Sequence, residues 1–169
     1  MRAEFINPFV EAGVNVLEAV MGSPPEAGQL AVRSATFASH QVLIVIGVTG
    51  AAEGQAVYGM SLVTATKLAA AMSNLPTMAF DESAMGAVVE LGSMIGGQAA
   101  ALLSERGYGI AIAPPALVRG SQVELCTAIP ALVVPLYTDF GQIEISVALQ
   151  EPAPSGAAPG PAREDGRVS

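Results

Sequence analysis

Residues 82–106 read ESAMGAVVELGSMIGGQAAALLSER, opened by Asp81 and closed by Gly107. At 100° per residue this stretch makes one long helix with two unlike sides. Met85, Val88, Val89, Gly92, Ile95, Gly96, Ala99, Leu102 and Leu103 fall on one broad side, the expected core face. Glu90, Ser93, Gly97 and Ala101 fall on the other, spaced by three, four and four, with Met94 at their flank. A solvated helix face normally carries Lys, Glu and Gln. This one carries a single acid among Ser, Gly, Ala and a thioether. Each interior glycine costs roughly 1 kcal/mol against alanine, so Gly92, Gly96 and Gly97 need a reason. Gly92 and Gly96 would admit close neighbours on the inner side, and Gly97 would leave room for a partner on the outer side. The face reads either as a flat docking surface centred on Glu90 and Ser93 or as small-residue packing with one exposed acid.

The rest of the chain supplies what such a helix packs on. Phe5 to Met21 reads as a helix, with Phe9, Ala12, Val16 and Val20 on one stripe. Asn7 is its expected cap and Pro8 its first helical residue. Strands are expected over Leu30–Phe37, Gln41–Thr49 and Gln55–Met60, with turns at Ala38-Ser39-His40 and at 50–54, forming an antiparallel meander. Ser61 caps a second helix to Met72. After the long helix come strands over Gly109–Ile112, Gln122–Ile129, Ala131–Thr138 and Gln142–Leu149, broken at Pro114-Pro115 and at Arg119-Gly120. The order predicts an α+β domain over residues 1–150: a largely antiparallel sheet with helices packed on it. Residues 151–169, rich in Pro, Ala and Gly, read as a disordered tail.

Composition narrows the function classes. Of 169 residues, 51% are hydrophobic and 13% charged, enough for a sizeable core. With 5% aromatics and no Trp, that core rests on aliphatic residues. A net charge of −8 makes nucleic acid and anionic membrane poor partners. Cys126 is the one cysteine, so no internal disulfide forms, and no Cys/His group has zinc spacing. The first residues lack the apolar region of a signal peptide, and the apolar runs are broken within about ten residues, short of the roughly 20 that span a bilayer. A cytoplasmic protein is the expectation.

Few other residues suggest chemistry. His40, placed in a turn with no acid nearby in sequence, reads as a surface residue, and Cys126 as a buried thiol in an apolar strand. Lys67 and Arg106 read as solvated. Asp81 and Glu82 suit a helix N-terminus. Ser83 and Ser104 have no base in reach, and Gly96-Gly97 lies mid-helix rather than in a phosphate loop.

The order of motifs resembles the CheX-like chemotaxis phosphatases of the CheC/CheX/FliY group. Phe5-Ile6-Asn7-Pro8-Phe9 resembles the opening of that family's first helix. Gly54–Met60 resembles the strand before its alanine-rich helix, which ends here at Ala69-Ala70-Ala71-Met72. Glu90-Leu91-Gly92-Ser93-Met94-Ile95-Gly96-Gly97 stands where the family has Glu-x-x-Asn and a small, Gly-containing stretch. Pro114-Pro115 and Gly120 match its following loop. The similarity runs over roughly residues 4–149. Glu11 and Asn15, four apart, do not make the second motif of the CheC type.

The resemblance implies an enzyme that removes the phosphoryl group from a phosphorylated CheY-type response regulator. It implies Glu90 as the acid that docks on a lysine of the regulator, and Ser93, with Glu90, as the catalytic pair. Met94 and Gly97 join them on the partner-binding face. No cofactor or metal of its own is implied, since Mg²⁺ belongs to the receiver domain. A homodimer is expected. Ser93 departs from the family's Asn: a hydroxyl can hold a water, but its stem is about one bond shorter, and about 1 Å of misplacement can cost a hundredfold in rate. A non-catalytic adaptor or an assembly module of the same fold is therefore the alternative. Asn74 does not fit the spacing.

Overall fold

A computed structural model describes residues 3–33, 40–76, 79–123 and 125–153. In chain order the elements are α1 (Ala3–Met21), β1 (Glu26–Ala27), β2 (Ala31–Arg33), β3 (His40–Gly50), β4 (Glu53–Met60), α2 (Leu62–Met72), α3 (Glu82–Glu105), β5 (Ile110–Ile112), β6 (Ala116–Val123), β7 (Ala131–Thr138) and β8 (Gly141–Gln150). The α+β architecture is as expected, with an all-antiparallel sheet. The expected tail beyond residue 153 and the turn residues Ala38 and Ser39 lie outside the described residues.

The sheet order is β7-β8-β4-β3 through the middle. β1 and β2 share the outer edge of β7, and β5 and β6 share the outer edge of β3. Alternation sorts each strand onto two faces. Val42, Ile44, Ile46 and Val48 of β3, Ala56, Tyr58 and Met60 of β4, and Ile143, Ile145, Val147 and Leu149 of β8 join the core beneath the helices. On the opposite face a smaller cluster gathers Ala131, Val133 and Ala148 under Leu125 and Ile129.

The three helices among the described residues cover one face. α1 packs on β8 and β7 and lies beside α3, which packs on β3, β5 and β6. Tyr58, fully buried on β4, donates its hydroxyl to the Phe9 carbonyl of α1 at 2.9 Å. Burial raises its phenol pKa well above the ordinary range. α2 is fixed at both ends of its first turn: the Ser61 hydroxyl accepts from the Thr64 amide, and the Thr64 hydroxyl donates to the Phe140 carbonyl at 2.9 Å.

Four local readings are corrected. Asn7-Pro8 does not start α1; the helix begins at Ala3 and keeps Pro8 inside it. Phe5 and Ile6 are buried, so core burial extends the helix past the proline. β2 does not join β3 in a meander but pairs with β7 on the far side of the sheet. Arg119-Gly120 is not a break: both lie within β6, an edge strand that runs over Ala116–Val123 rather than 122–129. The turn after β3 is shorter than expected, because Gly50 ends β3 and Glu53 begins β4.

Candidate functional site

α3 is pinned before it presents anything. The Asp81 carboxylate accepts from the Ala84 amide at 2.9 Å and caps the N-terminus. Arg119 donates to the Phe80 carbonyl at 3.2 Å and stacks over the Phe80 ring at 5.2 Å, tying the helix start to β6. At the other end Gly107 takes φ +87° and the Tyr108 amide returns to the Leu103 carbonyl at 2.9 Å. Tyr108 also donates to Glu4 at 2.6 Å and meets Phe5 edge-on at 5.0 Å. Arg106 pairs with Glu11 of α1 at 3.4 Å.

Between these ends the helix is two-sided. Ala84, Val88, Leu91, Gly92, Ile95, Gly96, Ala99 and Leu103 are buried. By length and composition α3 could cross a membrane, but here it is a core helix laid on a sheet. A Cβ on Gly92 would stand 2.6 Å from Ile44 Cγ2 and 3.1 Å from Pro115, and one on Gly96 would stand 3.0 Å from Ile112 Cγ2. These two glycines set how closely α3 lies on β3 and its edge strands.

The other side holds Glu90, Ser93, Met94 and Gly97, all exposed, as the helical geometry predicts. Neither Glu90 nor Ser93 makes a side-chain hydrogen bond or ion pair among the described residues. Met94 is 40% exposed beside them. A Cβ on Gly97 would meet no atom within 4 Å, and the same holds at Gly86. Gly86 was not among the expected residues, although its place one turn before Glu90 was readable from the spacing. The arrangement is a convex strip with one carboxylate and one hydroxyl a turn apart, backed by a closely seated helix. It can dock on a surface and hold a water; it has no enclosed volume for a small substrate. An open apolar groove of about 560 Å³ runs along α2 between Val63, Lys67, Leu75 and Phe140, and none of the four strip residues lines it.

Two residues read as bland are placed differently. His40 is not a turn residue but the first of β3, half-buried, with Nε2 3.4 Å from Glu144 Oε1. Its acid lies 104 residues away in sequence, which hid the pairing. Arg33 donates to the same oxygen at 3.1 Å. Glu144 is 5% exposed. The hydrogen bond from His40 and the nearby Arg33 charge hold its carboxyl below the usual range, against the opposing effect of burial. Gly59 makes this possible, since a Cβ there would strike the His40 ring at 2.6 Å. Cys126 is exposed rather than buried. Lys67 is exposed, as expected. Asn74 lies just beyond α2 with φ +55° and is not on α3. Among the described residues no three metal-binding side chains cluster.

The family model described as chemotaxis phosphatase CheX matches residues 42–137. The CheY-P phosphatase CheX of Thermotoga maritima is 32% identical over 126 residues, covering 74% of this chain and 81% of that protein. The crystal structure of a chemotaxis protein CheX from Desulfovibrio desulfuricans superposes with a TM-score of 0.79 at 30% identity, covering 87% of this chain and 99% of that one. The CheX chain in a CheX–CheY–BeF₃–Mg²⁺ complex from Borrelia burgdorferi superposes with a TM-score of 0.73 at 26% identity, covering 89% and 100%. The chain belongs to the CheX family.

Proposed function

We propose that this CheX-family chain docks through α3 on a phosphorylated CheY-type receiver domain and hydrolyses its aspartyl phosphate. The observation that carries the reading is the pair Glu90 and Ser93, exposed one turn apart on a helix whose buried side fixes its position. Family membership supplies the partner: the Borrelia relative was crystallised with CheY, BeF₃ and Mg²⁺. In this reading the Mg²⁺ and the acyl phosphate stay with the receiver. Glu90 engages a lysine of the receiver and sets the register. Ser93 enters the phosphoryl site, where its hydroxyl accepts from a water and aligns it for in-line attack on phosphorus. The protein thus contributes position rather than a covalent step. Met94 and Gly97 form the contact around the pair. The reading places the chain in the cytoplasm with its partner, as a homodimer.

The test is phosphate release from a phosphorylated CheY-type receiver. Glu90→Ala should raise KM, and Ser93→Ala should lower kcat by about a hundredfold, the loss expected when a water-positioning group goes. The short side chain of Ser93 favours a second reading, a non-catalytic adaptor of the same fold. Decay no faster than the receiver alone, with Ser93→Asn restoring a faster rate, would select the adaptor.

A further inference from the structure

α2 carries an apolar surface that the described part of the fold leaves uncovered. Two rows of side chains, each four residues apart, run along it: Leu62, Thr66 and Ala70 in one, Val63, Lys67 and Ala71 in the other. All six line the groove of about 560 Å³, joined by Leu75 just past the helix and Phe140 just before β8. Val63 is 61% exposed and Leu75 47%. Apolar residues exposed singly are ordinary, whereas a contiguous apolar patch with a polar rim marks a contact surface.

Lys67 stands in the middle of this surface. It is the chain's one lysine and is exposed. It makes no ion pair among the described residues, although the chain has 15 acidic residues. Among the described residues no Asp or Glu lines the groove. The groove therefore offers apolar area and one uncommitted positive charge, in a protein of net charge −8. That combination selects its occupant. A second copy of the same face would bring two lysines and no acid into one twofold contact. An anionic membrane is repelled by the net charge. A small molecule would keep one side in water, because the groove is open, whereas small-molecule sites bury most of their ligand. An apolar rod that carries a carboxylate meets both features.

We propose that the α2 groove docks an amphipathic helix of a partner protein, with large apolar side chains three and four residues apart and one Asp or Glu in its middle turn paired with Lys67. The two rows on α2 are the ridges against which such a helix packs, at an axis separation of about 8–10 Å. Ala70 and Ala71 keep the surface low at the C-terminal end, where a large partner side chain fits beside Leu75 and Phe140. The 11 residues of α2 make about three turns, which sets the length of the occupant. The apolar side chains supply the affinity; the pair with exposed Lys67 supplies selectivity and register. None of the strip residues on α3 lines the groove, so this contact is separate from receiver docking.

The experiment pans a random dodecapeptide library, displayed on phage, against the full chain. The counter-selection target is the double variant Val63→Asp with Leu75→Asp. Both positions are exposed, so the variant should keep its Tm within about 2 °C. Peptides retained only by the wild type should carry apolar residues three and four apart around one Asp or Glu. The most enriched peptide, synthesised, should lose at least about tenfold in affinity for Lys67→Glu, and changing its acid to Lys should restore binding to that variant. A lysine with a purely structural role would not give this exchange. An absence of peptides specific to the wild type would overturn the proposal, as would retained peptides without an acid or an unchanged affinity in Lys67→Glu. A double variant that sediments as a smaller oligomer than the wild type would assign the groove to a second copy and overturn it too. Phosphate release from a phosphorylated CheY-type receiver should be the same in the double variant and the wild type; a loss there would make the groove part of the receiver contact and overturn the separate partner.

Discussion

Gly92→Ala should destabilise the protein even though alanine is the better helix residue. The new methyl would lie 2.6 Å from Ile44 Cγ2, about 1 Å inside ordinary van der Waals contact. Ile44 cannot yield easily. It is fully buried on β3, and its branched Cβ restricts the side chain to few rotamers. Pro115, 3.1 Å away, closes the other direction. Relief must come from lifting α3 off the sheet, which loosens Val88, Leu91 and Ile95 together. Overpacking of this kind costs about 1–3 kcal/mol, against a gain of about 1 kcal/mol in helix propensity. The net loss is about 0–2 kcal/mol, and the approach to a buried, branched side chain puts it toward the upper end, up to roughly 4–8 °C in Tm. Paired urea and thermal unfolding of Gly92→Ala and Gly97→Ala gives the contrast, one variant falling and the other rising. A similar rise in both would refute the close seating of α3 on β3.

Three further outcomes follow from two groups away from α3. Glu144 carries a depressed carboxyl pKa in the folded state, so the unfolded chain binds its proton first as the pH falls. Its contribution is present above the unfolded value of about 4.3 and is lost as the pH drops through the lower folded value; Glu144→Gln should flatten the acid limb of a stability–pH profile, and an unchanged limb would contradict the assignment. The same substitution should cost about 1–3 kcal/mol at neutral pH by breaking charged hydrogen bonds to Arg33 and His40. Tyr58→Phe removes one buried hydrogen bond to α1 and should cost about 1 kcal/mol, read by denaturant midpoint; a neutral effect would show that the Phe9 carbonyl needs no second partner.

How much of this was legible depended on how far apart in sequence the deciding residues lie. α3 was readable because both of its faces are written within one helix: the glycines, Glu90 and Ser93 follow the 3.6-residue period. α2 was readable from Ser61, and β7 from an apolar run bounded by turn residues. The pairing of β2 with β7 was not, because three exposed or half-exposed residues carry no register signal; the partner strand about a hundred residues later supplies it. β6 reads as a break in the sequence because Arg119 and Gly120 discourage a central strand, whereas an edge strand tolerates both. His40 reads as a turn residue because the acid it pairs with lies far along the chain on β8. The strip on α3 was visible as geometry, yet the chemistry proposed for Ser93 would depend on atoms that belong to a partner, and no pattern in this chain encodes them.

The sheet order has a consequence for how the domain comes to exist. β8 is the last of the described elements to be synthesised, yet it lies between β4 and β7 and pairs along its length with both. Until residues 141–150 are made, β4 lacks its partner on one side, and β7 with β1 and β2 has no connection to the remaining strands. α1, the first of the described elements, meets β4 through Tyr58 but has its main sheet contacts on β8 and β7 and must wait for them. A nascent chain stopped before Gly141 would hold β3, β4, β5 and β6 with the edge of β4 unmatched, the kind of exposed intermediate that invites association. Closing contacts between the first helix and the final strand also makes the folding route a long-range one, slower than the helix content alone would indicate.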